Sequence, residues 1–222
     1  RIRVSSIEPN LLRSEIISFV AESNRIQPHF HMPLQSGSDQ MLKLMRRRYN
    51  TSLYADRVAQ IKELLPDACI GVDVITGHPG ETGELFQETI DFLNGLDISY
   101  LHVFTFSERP NTHALDLEPV IPKQERKKRT HQLRRLSAKK RFEFNSQFPG
   151  STRDVLFEDD IEDGHIFGWT DNYVRVGVPY QKGLANSVLP VTLQEVQNDG
   201  NVLGELPEVY RNEQHVIAEL VE

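Results

Sequence analysis

Cysteine is almost missing from this sequence: Cys69 is the only one among 222 residues. One thiol cannot close an intramolecular disulfide, and it cannot build a Cys-rich zinc or iron–sulfur site. No apolar run approaches the roughly 18–20 residues needed to cross a bilayer. No secretory leader opens the chain, so the expected compartment is the cytoplasm, with no membrane partner. Internal repeats and low-complexity tracts are absent as well, which excludes a solenoid. What remains is an ordinary globular composition, 38% hydrophobic and 26% charged, too apolar for a disordered chain. The sequence starts at Arg1 in a strand-like segment, so a piece of a longer protein is expected.

Charge is unevenly spread. Residues 1–145 carry 21 Lys and Arg against 18 Asp and Glu, whereas residues 146–222 carry 4 against 14. Such a split predicts two domains, 1–145 and 146–222, with different tasks. The basic excess lies in residues 123–141, where ten Lys or Arg make either a solvated helix face or a contact for a polyanion such as RNA.

Short apolar strands alternate with amphipathic helices over the first two-thirds. Residues 2–6 read as a strand, and Asn10 as the cap of a helix carrying Leu11, Leu12, Ile16, Ile17 and Val20. Residues 28–34 are extended, Ser38 or Asp39 starts a helix, and Thr51 caps another. Residues 70–76 form a continuous apolar run typical of a buried parallel strand. Thr82 begins a helix, Gly95 sits at its C-terminal cap, residues 100–106 are the next strand, and Pro122 opens a long helix, 122–145. This rhythm predicts an α/β fold with a partial parallel β/α barrel. After Pro149-Gly150, five short strands separated by turns predict a small antiparallel β-barrel.

In a parallel β/α barrel the loops after the strands build the site. Polar residues gather there: Glu8 after the first strand, Gln35 to Asp39 after the second, Asp73 and Gly77 to Thr82 around the third, and Thr105 to Arg109 after the fourth. Gln35 and Ser36 present an amide and a hydroxyl suited to a sugar, or simply make a turn. Gly77 either lets a ligand approach the backbone or makes a tight turn into the helix. Asp73 sits in an apolar strand, where its carboxylate must bond to backbone or to a ligand. Arg46, Arg47 and Arg48 are most simply a solvated helix end; in the alternative reading one of them points inward to pair a carboxylate. His29 and His31 alternate along a strand and share a face; satisfied core histidines are expected there, with no metal bound. Cys69 is expected to be a core thiol.

Residues 1–9 (RIRVSSIEP), 29–39 (HFHMPLQSGSD), 44–49 (LMRRRY), 71–82 (GVDVITGHPGET), and 102–109 (HVFTFSER) with 112–114 (THA) resemble the radical S-adenosylmethionine methylthiotransferases. The barrel segment 168–176 (GWTDNYVRV) resembles that family's TRAM domain. The resemblance implies an enzyme that methylthiolates a tRNA adenosine at position 37. The threonylcarbamoyladenosine branch is the most similar; the isopentenyladenosine branch is second and the ribosomal-protein aspartate branch third. It implies S-adenosylmethionine and two 4Fe–4S clusters in the full-length parent, the radical formed from the former opening a C–H bond. It assigns Gln35 and Asp73 to the ribose hydroxyls, Arg47 to the methionyl carboxylate, Glu8 to the methionyl end, Gly77 to close approach of adenine or ribose, and Ser36 to the same S-adenosylmethionine site. The tRNA anticodon region would meet Arg109, Lys127, Arg134, Trp169, Tyr173 and Arg175. With a single Cys, this chain is expected to bind neither cluster, to hold no catalytic residue of its own and to be inactive alone. The strongly acidic second domain repels phosphates, so either a local basic patch or aromatic stacking by Trp169 or Tyr173 would carry an RNA contact, or this domain faces something basic. Open sheet edges invite pairing with a second copy. Two further readings stand beside this one: a non-catalytic RNA- or protein-binding module, and a barrel enzyme using Glu8, Asp73 and Glu81 as acids or bases.

Overall fold

A computed structural model describes residues 1–210. It divides into two compact units, and the division falls inside a helix between Lys140 and Arg141, not after Asn145. In the first unit the order is β1 (Ile2–Val4), α1 (Ser14–Glu22), β2 (Ile26–His31), α2 (Asp39–Leu44), α3 (Thr51–Leu64), β3 (Cys69–Thr76), α4 (Gly83–Gly95), β4 (Tyr100–Thr105) and all but the last turn of α5 (Lys123–Asn145). The four strands pair in parallel in the order β1-β2-β3-β4. Parallel neighbours need a crossover on one face, and here helices supply each crossover.

Strand and helix ends differ from the sequence reading where local turn chemistry wins. β1 stops at Val4 because Ser6 turns the chain with φ +51. Asn10 does not cap α1. Glu8-Pro9-Asn10-Leu11 makes a turn closed by Leu11 N–H to the Glu8 carbonyl (2.9 Å), with proline at its favoured second position, and Arg13 becomes the N-cap. Asn50, the stronger capping residue, replaces Thr51 at the start of α3; its side chain accepts the Leu53 N–H at 2.9 Å. Thr82 does cap α4, accepting the Leu85 N–H. Gly95 is the last helical residue, and Leu96, in extended backbone, is the cap.

Strand alternation decides which face is core. Phe30 of β2, Ile70, Val72 and Val74 of β3 and Leu101 of β4 are buried against Ile17 and Val20 of α1, Tyr54, Val58 and Ile61 of α3, Phe86 and Leu93 of α4, and Leu133 of α5. The opposite face of the same strands carries His29, His31, Asp73, Ile75, Tyr100, His102 and Phe104. β3 is buried along its whole helix side, whereas on the other face Cys69 and Gly71 are buried and Asp73 and Ile75 remain half-buried.

The second unit contains β5 (Thr152–Glu162), β6 (His165–Thr170), β7 (Arg175–Pro179), β8 (Val188–Val196) and β9 (Val202–Glu205), closed as β5-β6-β7-β9-β8. The barrel is mixed, not antiparallel: β7 and β9 run parallel, while every other pair is antiparallel. A closed ring with an odd number of strands cannot alternate direction throughout, so at least one neighbouring pair must be parallel. The expected domain 146–222 lies partly beyond the described residues.

Candidate functional site

The face of the sheet away from the helices is built in tiers by cross-strand register. Gly71 pairs with Tyr100, Asp73 with His102, and Ile75 with Phe104. In the first tier His29 Nε2 meets the Tyr100 hydroxyl at 3.0 Å, with the two rings stacked. Gly71 makes this possible, since a Cβ there would lie 2.3 Å from the Tyr100 phenol. In the second tier Asp73 Oδ1 sits 2.8 Å from His31 Nε2 and 3.4 Å from His102 Nδ1. His31 Nδ1 in turn meets Ser6 Oγ at 3.1 Å. His29 and His31 do share a face, and they take different partners.

The third tier opens into a cavity of about 530 Å³ lined by Gln35, Ile75, Phe104, Thr105, Phe106, Ser107, Arg109, Thr112 and Ala114. Gln35 is held there by strained backbone, φ +73. Its N–H bonds the Asp73 carbonyl (2.8 Å) and its carbonyl accepts the Ile75 N–H (2.9 Å), which extends β3's pairing by one bridge. Beside α2, Arg47 is half-buried between the exposed Arg46 and Arg48, and its Nη1 lies 3.3 Å from Glu8 Oε1. The buried Nε–H of Arg47 lacks an acceptor.

Two of the expected ligand residues turn elsewhere. Ser36 is buried with its hydroxyl 3.1 Å from Thr89 Oγ1 of α4, and it also accepts the Ser38 N–H. Gly77 gives its N–H to Glu81 Oε2 at 2.7 Å, and a Cβ there would fall 2.3 Å from Arg126 Cγ. Its φ of +74 and the Arg126 stem together account for the glycine without a ligand.

Arg126 and Arg129 show that the basic helix is not solvated all round. Arg126, Arg129, Thr130 and Leu133 form the buried stripe of α5 at helical spacing. Arg126 bonds Glu108 (2.7 Å) and the Ile121 carbonyl; Arg129 bonds the Glu81 carboxylate (2.8 Å) and the Glu81 carbonyl (2.7 Å). Burial pushes the Glu81 carboxyl above the usual carboxylate range, against the pull of Arg129 and the Gly77 N–H. The loop 77–82 after β3 is thus clamped by α5. Sequence reasoning missed this role, as it missed His31 and His102 as partners of Asp73.

Of the residues expected to meet RNA, Arg109, Lys127 and Arg134 are exposed in the first unit. Lys127 and Glu108 help line a second cavity of about 280 Å³. In the second unit Trp169 stacks on Tyr173 with ring centres 4.3 Å apart, and Trp169 Nε1 donates to Glu158. Arg175 lies over the Phe167 ring and between Asp160 (2.6 Å) and Glu162 (3.3 Å). Burial alone would lower its pKa, but those two carboxylates outweigh it and hold the guanidinium above its ordinary value. A phosphate would have to displace them.

Residues 1–93 match the family model described as the radical SAM superfamily. The chain is 38% identical over 180 residues to threonylcarbamoyladenosine tRNA methylthiotransferase MtaB of Bacillus subtilis, covering 79% of this chain and 40% of that protein. It is 39% identical over 175 residues to MtaB of Aquifex aeolicus (79% and 42%), and 33% identical over 195 residues to tRNA-2-methylthio-N(6)-dimethylallyladenosine synthase of Symbiobacterium thermophilum (87% and 42%). The chain belongs to the radical SAM methylthiotransferase family. It spans well under half the length of these relatives. Coproporphyrinogen III oxidase of Escherichia coli is a distant structural likeness, with TM-score 0.49 and 18% identity over 60% of this chain and 30% of that one. No helix among the described residues is long and apolar enough to cross a membrane.

The residues of this family member fit S-adenosylmethionine and do not fit an iron–sulfur cluster. For the former, the buried Arg47 Nε–H without an acceptor is a donor suited to a carboxylate, and Gln35 offers an amide in the cavity wall. For the latter, Cys69 is the only thiol and is 1% exposed in β3. No step through a cluster can be assigned to these residues.

The histidine tier carries a pH dependence. Burial, then Arg3, His31 and His102, lower the His29 pKa from 6.5 to about 3. The folded form therefore refuses a proton that the unfolded chain takes up below pH 6.5, so this stability is present above pH 6.5 and is lost as pH falls toward 3. Between pH 7 and 5 the first unit should lose about 2 kcal/mol from His29 alone. Urea denaturation at both pH values checks this, and His29→Gln should flatten the difference. An unchanged pH slope in that variant refutes the assignment.

Proposed function

We propose that this chain carries the S-adenosylmethionine-binding sheet face and a TRAM-type barrel of a tRNA methylthiotransferase acting on threonylcarbamoyladenosine at position 37. One observation supports the pairing of sheet face and barrel, while the choice of branch rests on the 38–39% identity to two MtaB proteins. The match to the B. subtilis enzyme runs over 180 residues, more than the 140 of the first unit, so it reaches into the barrel as well. A likeness confined to radical SAM chemistry would have no reason to do so.

In this reading Arg47 takes the methionyl carboxylate through its unused Nε–H, and Glu8 holds the guanidinium from its other side. Gln35 presents its amide to the ligand across the cavity wall, and Asp73 faces the ribose from the tier below. Phe104, Ile75 and Phe106 give an apolar wall for a nucleobase. S-adenosylmethionine would supply, once cleaved by an electron from a donor outside this chain, the carbon radical that opens a C–H bond. Lys127 and Arg134 on the exposed side of α5 hold phosphates of the anticodon stem. In the cell this chemistry belongs to the cytoplasm.

The dimethylallyladenosine branch is the second reading. Three of its members match 87–89% of the chain at 32–34% identity, and two match 70–71% at 36–37% identity. Nucleoside mass spectrometry separates the two. Deleting the gene that encodes these residues should abolish 2-methylthio-N6-threonylcarbamoyladenosine in bulk tRNA and leave the dimethylallyl derivative intact. The reverse pattern assigns the second branch, and both species unchanged would overturn the tRNA reading.

A further inference from the structure

We propose that His31, Asp73 and His102 bind one divalent first-row transition cation, with coordination positions left open on the side of the sheet away from the helices. The three residues come from three adjacent strands, and their donor atoms lie within 4.8 Å of one another. Metal–nitrogen and metal–oxygen bonds of about 2.0–2.2 Å set neighbouring ligand atoms roughly 3 Å apart. The 2.8 Å from His31 Nε2 to Asp73 Oδ1 and the 3.4 Å from His102 Nδ1 to the same oxygen bracket that spacing. The remaining gap closes by rotation of His102, whose side chain is 49% exposed, while His31 and Asp73 are each 16% exposed. His102 therefore also leaves an entry path from solvent.

Two imidazoles and one carboxylate suit zinc, iron, cobalt or nickel better than magnesium or calcium, which prefer all-oxygen sites. Three protein ligands leave room for water or a ligand atom, the pattern of a reactive rather than a structural centre. Ser6 supplies the outer contact that orients a metal-binding histidine. In the neutral metal-free ring with its proton on Nε2, Nε2–H donates to Asp73 and the Ser6 hydroxyl donates to Nδ1. With metal on Nε2 that proton leaves to solvent, Nδ1 takes one up from solvent, and Nδ1–H donates to Ser6 Oγ. The ring thus exchanges its Nε2 proton for the metal and regains a proton on Nδ1 from solvent, which keeps the imidazole neutral.

The site does not depend on the methylthiotransferase reading, although both involve Asp73, so the test uses metal alone without S-adenosylmethionine. The chelator-stripped 222-residue chain is titrated with Co2+, followed by its visible d–d absorption, and with Zn2+ in competition with a chromophoric chelator. One equivalent should bind. His102→Ala and Asp73→Asn should each weaken binding about 10-fold or more, and Ser6→Ala should weaken it about 10-fold. His113→Ala, which alters an exposed histidine paired with Asp116 three residues on, should change nothing. His102→Gln serves as a second variant should the alanine form fold poorly. Absence of saturable one-to-one binding, or wild-type affinity in the folded His102 and Asp73 variants, would overturn the proposal.

Discussion

Replacing Glu81 by glutamine should destabilise the first unit by about 3–5 kcal/mol, because it strands a buried guanidinium. Arg129 is 5% exposed and Glu81 1%, so little water can compensate. The glutamine amide would keep an oxygen for the Gly77 N–H, yet it cannot neutralise Arg129. Glu125, which also contacts Arg129 at 3.2 Å, is the remaining counter-charge and sets the loss toward the lower end of that range. The reverse change, Arg129→Met, should cost less. A stranded carboxyl can accept a proton, and burial already pushes Glu81 in that direction, whereas arginine cannot give its proton up. The double variant should recover much of the Glu81→Gln loss, since the charge and its need for a partner go together. Urea denaturation followed by helical circular dichroism reads all three. A Glu81→Gln stability within about 1 kcal/mol of the parent would show that the α5 clamp on loop 77–82 is dispensable.

That clamp also shows where the sequence stops being legible. The alternation of apolar strands and amphipathic helices can be read because each pattern is local: Ile70, Val72 and Val74 sit two apart, and Tyr54, Val58 and Ile61 sit one helical turn apart. Thr82 as a helix cap is local chemistry of the same kind. Arg129 and Glu81 are 48 residues apart, and nothing near Arg129 distinguishes it from the exposed Lys127 or Lys128. The spacing of Arg126, Arg129, Thr130 and Leu133 held the clue, but a buried stripe made partly of arginine reads as polar until its partners are known. Asp73 was visible as a carboxylate out of place in an apolar strand. Its neighbours were not, because only register brings His31 and His102 to its side. Arg47 differs from both: its inward turn was one of two readings left open by three consecutive arginines, and Glu8 decides between them. The antiparallel expectation for the barrel failed on strand count and closure, which local turn signals do not encode.

Gly168→Ala should cost the barrel about 3 kcal/mol or more, the upper range for overpacking. A Cβ at Gly168 would lie 2.4 Å from the Leu156 carbonyl oxygen, 2.8 Å from its carbonyl carbon and 2.7 Å from Val155 Cγ1. The first two atoms are backbone in β5, paired with β6 through Phe157–Gly168 and Leu156–Trp169, so no side-chain rotation relieves the clash. Relief requires sliding one strand against the other, and a closed barrel resists that because β5 is also fastened to β8. Trp169 follows Gly168 in β6 and pairs with Leu156, so loss of the ladder would disturb its stacking on Tyr173. Gly164→Ala is the comparison. Nothing lies within 4 Å of its added carbon, and only the left-handed backbone at φ +77 is strained, for about 1 kcal/mol. Trp169 is the single tryptophan of the chain and belongs to the barrel, so its fluorescence during denaturation reports this unit alone. If the Gly168→Ala midpoint moves no further than that of Gly164→Ala, the close approach of β5 and β6 does not limit the barrel, and the stacked aromatic pair must be held by other means.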